Sequence, residues 1–286
     1  MRFLKKLIPF RKRKPQIAVV RLVGVIGSSG SFRRGLNLRA VEPALEAAFK
    51  QKKTTAVALL INSPGGSPVQ ADLIQKRIGD LSQESGKPVF VFCEDVAASG
   101  GYWIALVANE IYANPSSIIG SIGVVSASFG FQEAISKIGV ERRLYATGSK
   151  KGMLDPFQAE DADHVLHLKS LQNEIFDLFC EWVTSRRGAR LNGNPEELFS
   201  GAFWTGQKAK ELGLVDGIGE MRSVMQERFG KDVTFKTYGQ KTGLLARLRL
   251  SGEASPDNVR NETPGDIVSE LLELIESRLL WNKFGL

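Results

Sequence analysis

From residue 17 to residue 95, apolar runs of strand length alternate with amphipathic stretches. "IAVVRLVGVIG" (17–27) predicts one or two strands, and "TTAVALLIN" (54–62) predicts another that ends at the turn signal "SPGG". Between them, "RAVEPALEAAFKQK" (39–52) sets Val41, Leu45, Ala48 and Phe49 on one helical face. "ADLIQKRIGDLSQES" (71–85) is a second amphipathic helix closed by Gly86, and "KPVFVFCED" (87–95) is a further buried strand. The strands are nearly continuous apolar runs, the pattern of strands covered on both faces. Repetition of strand, turn and helix in this way predicts an α/β fold around a largely parallel sheet.

Farther along, shorter strands are predicted over "EIYANP" (110–115), "GSIGVVSAS" (120–128) and "ERRLYAT" (141–147), with a helix over "GFQEAISKIG" (130–139). The longest helical stretch runs from 159 to 188, and "AFWTGQKAKELGLVDGIG" (202–219) reads as a turn, a short helix and a return. After "DVTFKTYG" (232–239) come a basic piece, a polar linker and "DIVSELLELIESRLLWNKFGL", an amphipathic helix with Ile267, Leu271, Leu274 and Ile275 on one stripe. The organisation is therefore a tail (1–15), one domain (16–232) and a C-terminal extension (233–286).

An apolar fraction of 43% in 286 residues is enough for a real core. The net charge of +7 is concentrated in "MRFLKKLIPFRKRK" (1–14), which holds seven basic residues and no acid. Without them the body balances, 31 basic residues against 31 acidic. Such a tail suits a solvated arm or contact with an anionic membrane, where each basic residue contributes roughly 1 kcal/mol near the surface. Nucleic acid is the weakest of the three readings. No signal peptide and no run of ~20 apolar residues is seen. The expected location is cytoplasmic, or peripheral on the inner face of the cell membrane. Cys93 and Cys180 are too isolated for a disulfide framework or a zinc site and read as buried small residues.

"CEDVAASGGYW" (93–103) places Ser99 between small residues, behind an apolar strand and ahead of "GGYWIALVA", which can begin a helix. A strand-to-helix corner of this kind exposes a hydroxyl and aims free N–H groups at a developing oxyanion. A tight turn packed by small residues reads equally well from this segment alone. "INSPGG" (61–66) shifts the balance, because parallel ordering sets its turn beside the Ser99 corner. The N–H groups of Gly65 and Gly100 are the expected oxyanion pair. A serine also needs a base. His164 and His167 lie three apart on the long helix and read as surface or packing residues. A lysine remains, yet at its ordinary pKa of ~10.4 it is neutral in only about one molecule in a thousand near pH 7.4. Burial must therefore favour its neutral form. Lys150 and Lys151, in the loop before "GMLDPF", are both candidates.

"INSPGG", "AASGGYWIA", "IIGSIGVV" and "WTGQKAKELGLVDGIG", in this order, resemble the signal peptide peptidase A family of serine peptidases, including its SohB-like branch. The similarity runs from about residue 17 to 230. It implies a Clp-protease/crotonase-like fold of stacked β-β-α units and a Ser–Lys dyad. Carried over, Ser99 is the nucleophile, Lys151 the base, and Ser121 the serine that orients the lysine. The resemblance also implies a ring-like homo-oligomer acting on peptides or unfolded chains, leftover signal peptides among them, with no cofactor and no metal. Two other readings compete: a crotonase-type acyl-CoA enzyme, and a non-enzymatic membrane scaffold using the basic tail and the C-terminal helix.

Overall fold

Strands β1 (Gln16–Val23), β2 (Thr54–Ser63) and β3 (Val89–Ala98) pair in parallel with β2 in the middle. The computed structural model describes residues 14–27, 35–239, 275 and 278–286. Side chains alternate across this sheet: Ala18, Val20, Leu22, Val57, Leu59 and Ile61 enter one buried cluster, while Ile17, Val19, Ala56, Ala58, Phe90 and Phe92 enter another. Both faces are covered, which is why the strand sequences run apolar without alternation. Helices α1 (Leu38–Lys50) and α2 (Pro68–Ser85) supply Leu45, Phe49, Ile74 and Ile78 to the first cluster. Asn37 caps α1 by accepting the Ala40 N–H at 3.0 Å, and α2 ends where Gly86 turns left-handed at φ 65°.

After β3 the chain enters α3 (Gly100–Ala105), every residue of which is buried. Strands β4 (Glu110–Ala113) and β5 (Ile118–Gly120) then extend the sheet from β3. Strand β6 (Phe203–Thr205) pairs antiparallel with β5, and β7 (Gly217–Ile218) pairs parallel with β4. Strand β8 (Thr234–Tyr238) closes the opposite edge in parallel with β1, so the sheet takes in residues read from sequence as extension. Among the described residues the sheet has eight strands.

One segment departs from expectation. The strand predicted over 120–128 ends at Gly120, and 141–147 forms no strand at all. No residue from 123 to 178 is buried; Tyr145 is 91% exposed and Val125 78%. These residues have strand character but pair with no strand among the described residues. The segment stands out as an arm holding α4 (Gln132–Lys137) and leading into α5 (Ala162–Arg187).

The end of α5 returns to the body and is locked there. Arg186 donates to the carbonyls of Leu106 and Ala108 at 2.7 and 2.8 Å, satisfying the end of α3. Arg187, 3% exposed, donates to both Asp216 oxygens at 3.0 and 2.9 Å and to the Gly213 carbonyl at 2.8 Å. Helices α6 (Pro195–Leu198), α7 (Gly206–Glu211) and α8 (Met221–Phe229) complete the body, with Met225 of α8 in the second buried cluster.

Tyr102 is fully buried and its hydroxyl donates to the Leu214 carbonyl at 2.7 Å, tying α3 to the return before β7. Burial pushes this phenol well above its ordinary pKa, so it remains a donor. Tyr102→Phe leaves the Leu214 carbonyl without its partner and is expected to cost about 1–3 kcal/mol, read as a lower denaturant midpoint. A change within 0.3 kcal/mol would show that the bond contributes nothing net.

Ile267, Leu271 and Leu274 of the expected C-terminal stripe lie outside the described residues, as does the basic tail before Lys14. Residues 278–282 are helical. Among the described residues, no helix is long and apolar enough to cross a membrane.

Candidate active site

Ser99 stands at the corner between β3 and α3 with φ 52° and ψ −122°. A non-glycine residue held there costs on the order of 1–3 kcal/mol, so the surroundings must fix it. Its N–H donates to the Gly120 carbonyl at 2.8 Å and its carbonyl accepts the Trp103 N–H at 2.9 Å. Buried Ala98 and Gly100 flank it. The half-buried Ser99 side chain makes no hydrogen bond among the described residues. A strained strand-to-helix corner whose serine hydroxyl has no partner among the described residues resembles the geometry of a nucleophile elbow.

The turn after β2 lies against this corner, as parallel ordering implies. A methyl group on Gly65 would stand 2.7 Å from Ser99 Cβ and 3.1 Å from the Gly100 nitrogen. Gly65 and Gly66 have φ 107° and 138°, where side chains are strained, so both the space and the backbone demand glycine. Ile26 pins the turn from the other side. Its N–H donates to the Gly65 carbonyl at 2.8 Å, and its carbonyl accepts the Ser67 N–H at 2.9 Å. The N–H of Gly65 already donates to Ser63 Oγ at 3.3 Å in a buried setting. The N–H of Gly66 makes no hydrogen bond among the described residues, and its nitrogen lies 3.5 Å from where a Gly100 side chain would begin.

Ser121 follows β5 and is also at φ 52°. Its N–H donates to the Ala202 carbonyl at 2.7 Å, and the residue is 5% exposed. Because Gly120 accepts the Ser99 N–H, the two serines sit at neighbouring strand ends. The Ser121 hydroxyl accepts a hydrogen bond from Lys283 Nζ at 3.3 Å.

Ser99, Gly65, Gly100 and Ser121 are therefore brought together. Lys151 is not in contact with them. It is exposed, in a turn on the arm where its N–H donates to the Gly148 carbonyl at 3.0 Å, and its ammonium has no partner among the described residues. Lys150 is in the same situation. His164 and His167 lie on the part of α5 that carries no buried residue, and the backbone N–H of His164 bonds the capping Asp161 at 3.1 Å. Cys93 is buried, and burial pushes its thiol up to about 12; Cys180 is only half-buried, its thiol pushed up to about 11 mainly by burial. Neither is primed as a nucleophile.

Three groups at the site were not singled out by sequence reasoning. Ser63 and Ile26 shape the glycine turn, and Lys283 reaches Ser121. "SPGG" flagged the turn, but neither adjacent glycine is marked as the one whose N–H stays free. Nothing local in "WNKFGL" signals a contact 162 residues away.

Comparison with known proteins bears on the same segments. Residues 82–232 match peptidase family S49. A Brucella abortus protein named Na(+)/H(+) antiporter NhaA is 50% identical over 99% of the chain, and the chain spans only 39% of that protein's length. The chloroplastic serine protease SPPA of Arabidopsis thaliana is 32% identical over 72% of the chain and 31% of its own length. A putative protease of Synechocystis is 30% identical over 76% of the chain and 75% of its own length. With its mostly parallel sheet and a glycine turn set against a strained serine corner, the chain belongs to peptidase family S49 and has a Clp-protease-like fold.

Proposed function

We propose that the chain is a serine endopeptidase cleaving peptides or unfolded chains, with Ser99 as nucleophile and Lys151 as base. The observation that carries this reading is the Ser99 hydroxyl, without a hydrogen-bond partner among the described residues and held at a strained corner beside the Gly66 and Gly100 N–H groups, for which the described residues offer no acceptor. Neutral Lys151 takes the hydroxyl proton as Ser99 attacks the carbonyl carbon. The oxyanion is held by the N–H of Gly100 and that of Gly66. Gly66 replaces the expected Gly65, whose N–H is already committed to Ser63. The lysine then protonates the leaving amine, and water resolves the acyl-enzyme through the same groups. Ser121, beside Ser99, orients the lysine.

Lys151 rides on an arm with no buried residue and with exposed Phe129, Ile138 and Val140. An apolar surface of this kind is normally covered by a partner. A homo-oligomer that packs the arms is the economical cover, and packing places Lys151 over a Ser99 corner. Leftover signal peptides, short and apolar, are suitable substrates.

The test is digestion of casein by the wild type, Lys150→Ala and Lys151→Ala between pH 6 and 9. The expected result is cleavage that rises with pH, persists in Lys150→Ala and is lost in Lys151→Ala, because only a neutral amine can accept the proton. No cleavage by the wild type anywhere in that range, with assembly intact, would sink the peptidase reading.

A further inference from the structure

The end of the chain is helical through residue 282 and then turns: the Phe284 and Leu286 N–H groups both bond the Trp281 carbonyl, at 2.9 and 3.3 Å. This turn presents two side chains to the candidate site. Lys283 Nζ donates to Ser121 Oγ at 3.3 Å, and the Phe284 ring meets Phe203 edge-on, with centroids 5.1 Å apart at 73°. The Lys283 ammonium also lies 6.0 Å from the Phe203 ring and 5.6 Å from that of Phe284, within cation–π range. Among the described residues it has no carboxylate partner. Phe203 pairs with Gly120, whose carbonyl holds the Ser99 N–H, so this seat is built on the strand that borders the nucleophile corner.

We propose that the C-terminal segment 278–286 is a built-in, displaceable ligand of the active site, with Lys283 in the ammonium seat on Ser121 and Phe284 in an aromatic seat on Phe203. The inference rests on the reading of Ser99 and Ser121 given above. The seat takes a basic–aromatic peptide end. While it is filled, the Ser121 hydroxyl is engaged by a lysine other than Lys151. Substrate and Lys151 both have to displace the segment, so its affinity for the seat sets the fraction of competent sites. The hydroxyl, two aromatic rings and a single turn of backbone make a modest set of contacts, suited to reversible release.

The full-length wild type is compared with Lys283→Met and Phe284→Ala by two readouts. One is the rate of Ser99 labelling by a fluorophosphonate probe, with Ser99→Ala as the blank. The other is amide hydrogen exchange of residues 278–286, which needs no activity. Both variants should label about threefold faster or more and exchange faster at the chain end. A synthetic WNKFGL peptide added to Lys283→Met should slow labelling again. Unchanged exchange in both variants overturns the proposal, and if Ser99 still labels, the peptidase reading survives it. Faster exchange with no Ser99 labelling in any protein keeps the seat and removes the peptidase reading. Slower labelling in Lys283→Met overturns the displaceable ligand, because Lys283 would then be assisting Ser99.

Discussion

Ser99→Ala is expected to lower the rate of casein cleavage by about 10⁴-fold or more while leaving the fold unchanged, as removal of an attacking hydroxyl does in serine peptidases. The fold is spared for structural reasons. The Ser99 hydroxyl makes no hydrogen bond among the described residues, and the bonds that fix the corner run through its backbone N–H and carbonyl. Alanine meets the same positive φ at the same cost. The pair of measurements is the cleavage rate and the thermal midpoint. A variant that keeps more than about a tenth of the wild-type rate rules out Ser99 as the nucleophile; a midpoint that falls by many degrees means the corner depends on its hydroxyl.

Asp216→Asn is expected to destabilise the protein by about 3–5 kcal/mol, because it strands the buried Arg187 guanidinium. Asp216 accepts from Arg187 through both oxygens, from Arg190 at 2.8 Å and from the Ile111 N–H at 2.7 Å, joining the end of α5 to β4 and to the start of β7. Burial alone would push this carboxyl up, but the hydrogen bonds from Arg187, the Ile111 N–H and Arg190 hold it below the usual carboxylate range. A depressed folded pKa adds stability above the unfolded value of ~3.9 and loses it as pH falls through the folded one. The wild type should therefore weaken at acid pH, and the variant should lack that part of the loss. In a double-mutant cycle with Arg187→Met, the two changes together should cost less than their sum. A cost for Asp216→Asn below about 1 kcal/mol would show that the cluster is not what anchors α5.

Much of the body was legible in the sequence because its strands are buried on both faces and its helices carry clear stripes. The meeting of the "SPGG" turn with the Ser99 corner follows from parallel order alone, since adjacent parallel strands end on the same side of a sheet. The arm was not legible. "ERRLYAT" has the residue types of a strand, but a strand is made by its partner, and Leu144 and Tyr145 face solvent at 39% and 91% exposure. That the Gly65 N–H is taken up by the Ser63 hydroxyl oxygen could not be read from "SPGG". Lys283 reaches Ser121 through tertiary placement of the chain end, which no local pattern encodes.

The bond from the Ser99 N–H to the Gly120 carbonyl makes the two serines one mechanical part. Gly120 is at once the neighbour of Ser121 and the brace of the Ser99 corner, and β6 pairs with it from outside. The hydroxyls of Ser99 and Ser121 thus behave like two jaws machined from a single block. Their relative placement is set when β3 and β5 pair. On the proposals made above, switching such a device on or off falls to the pieces brought up to the block: the arm that carries Lys151, and the chain end that carries Lys283.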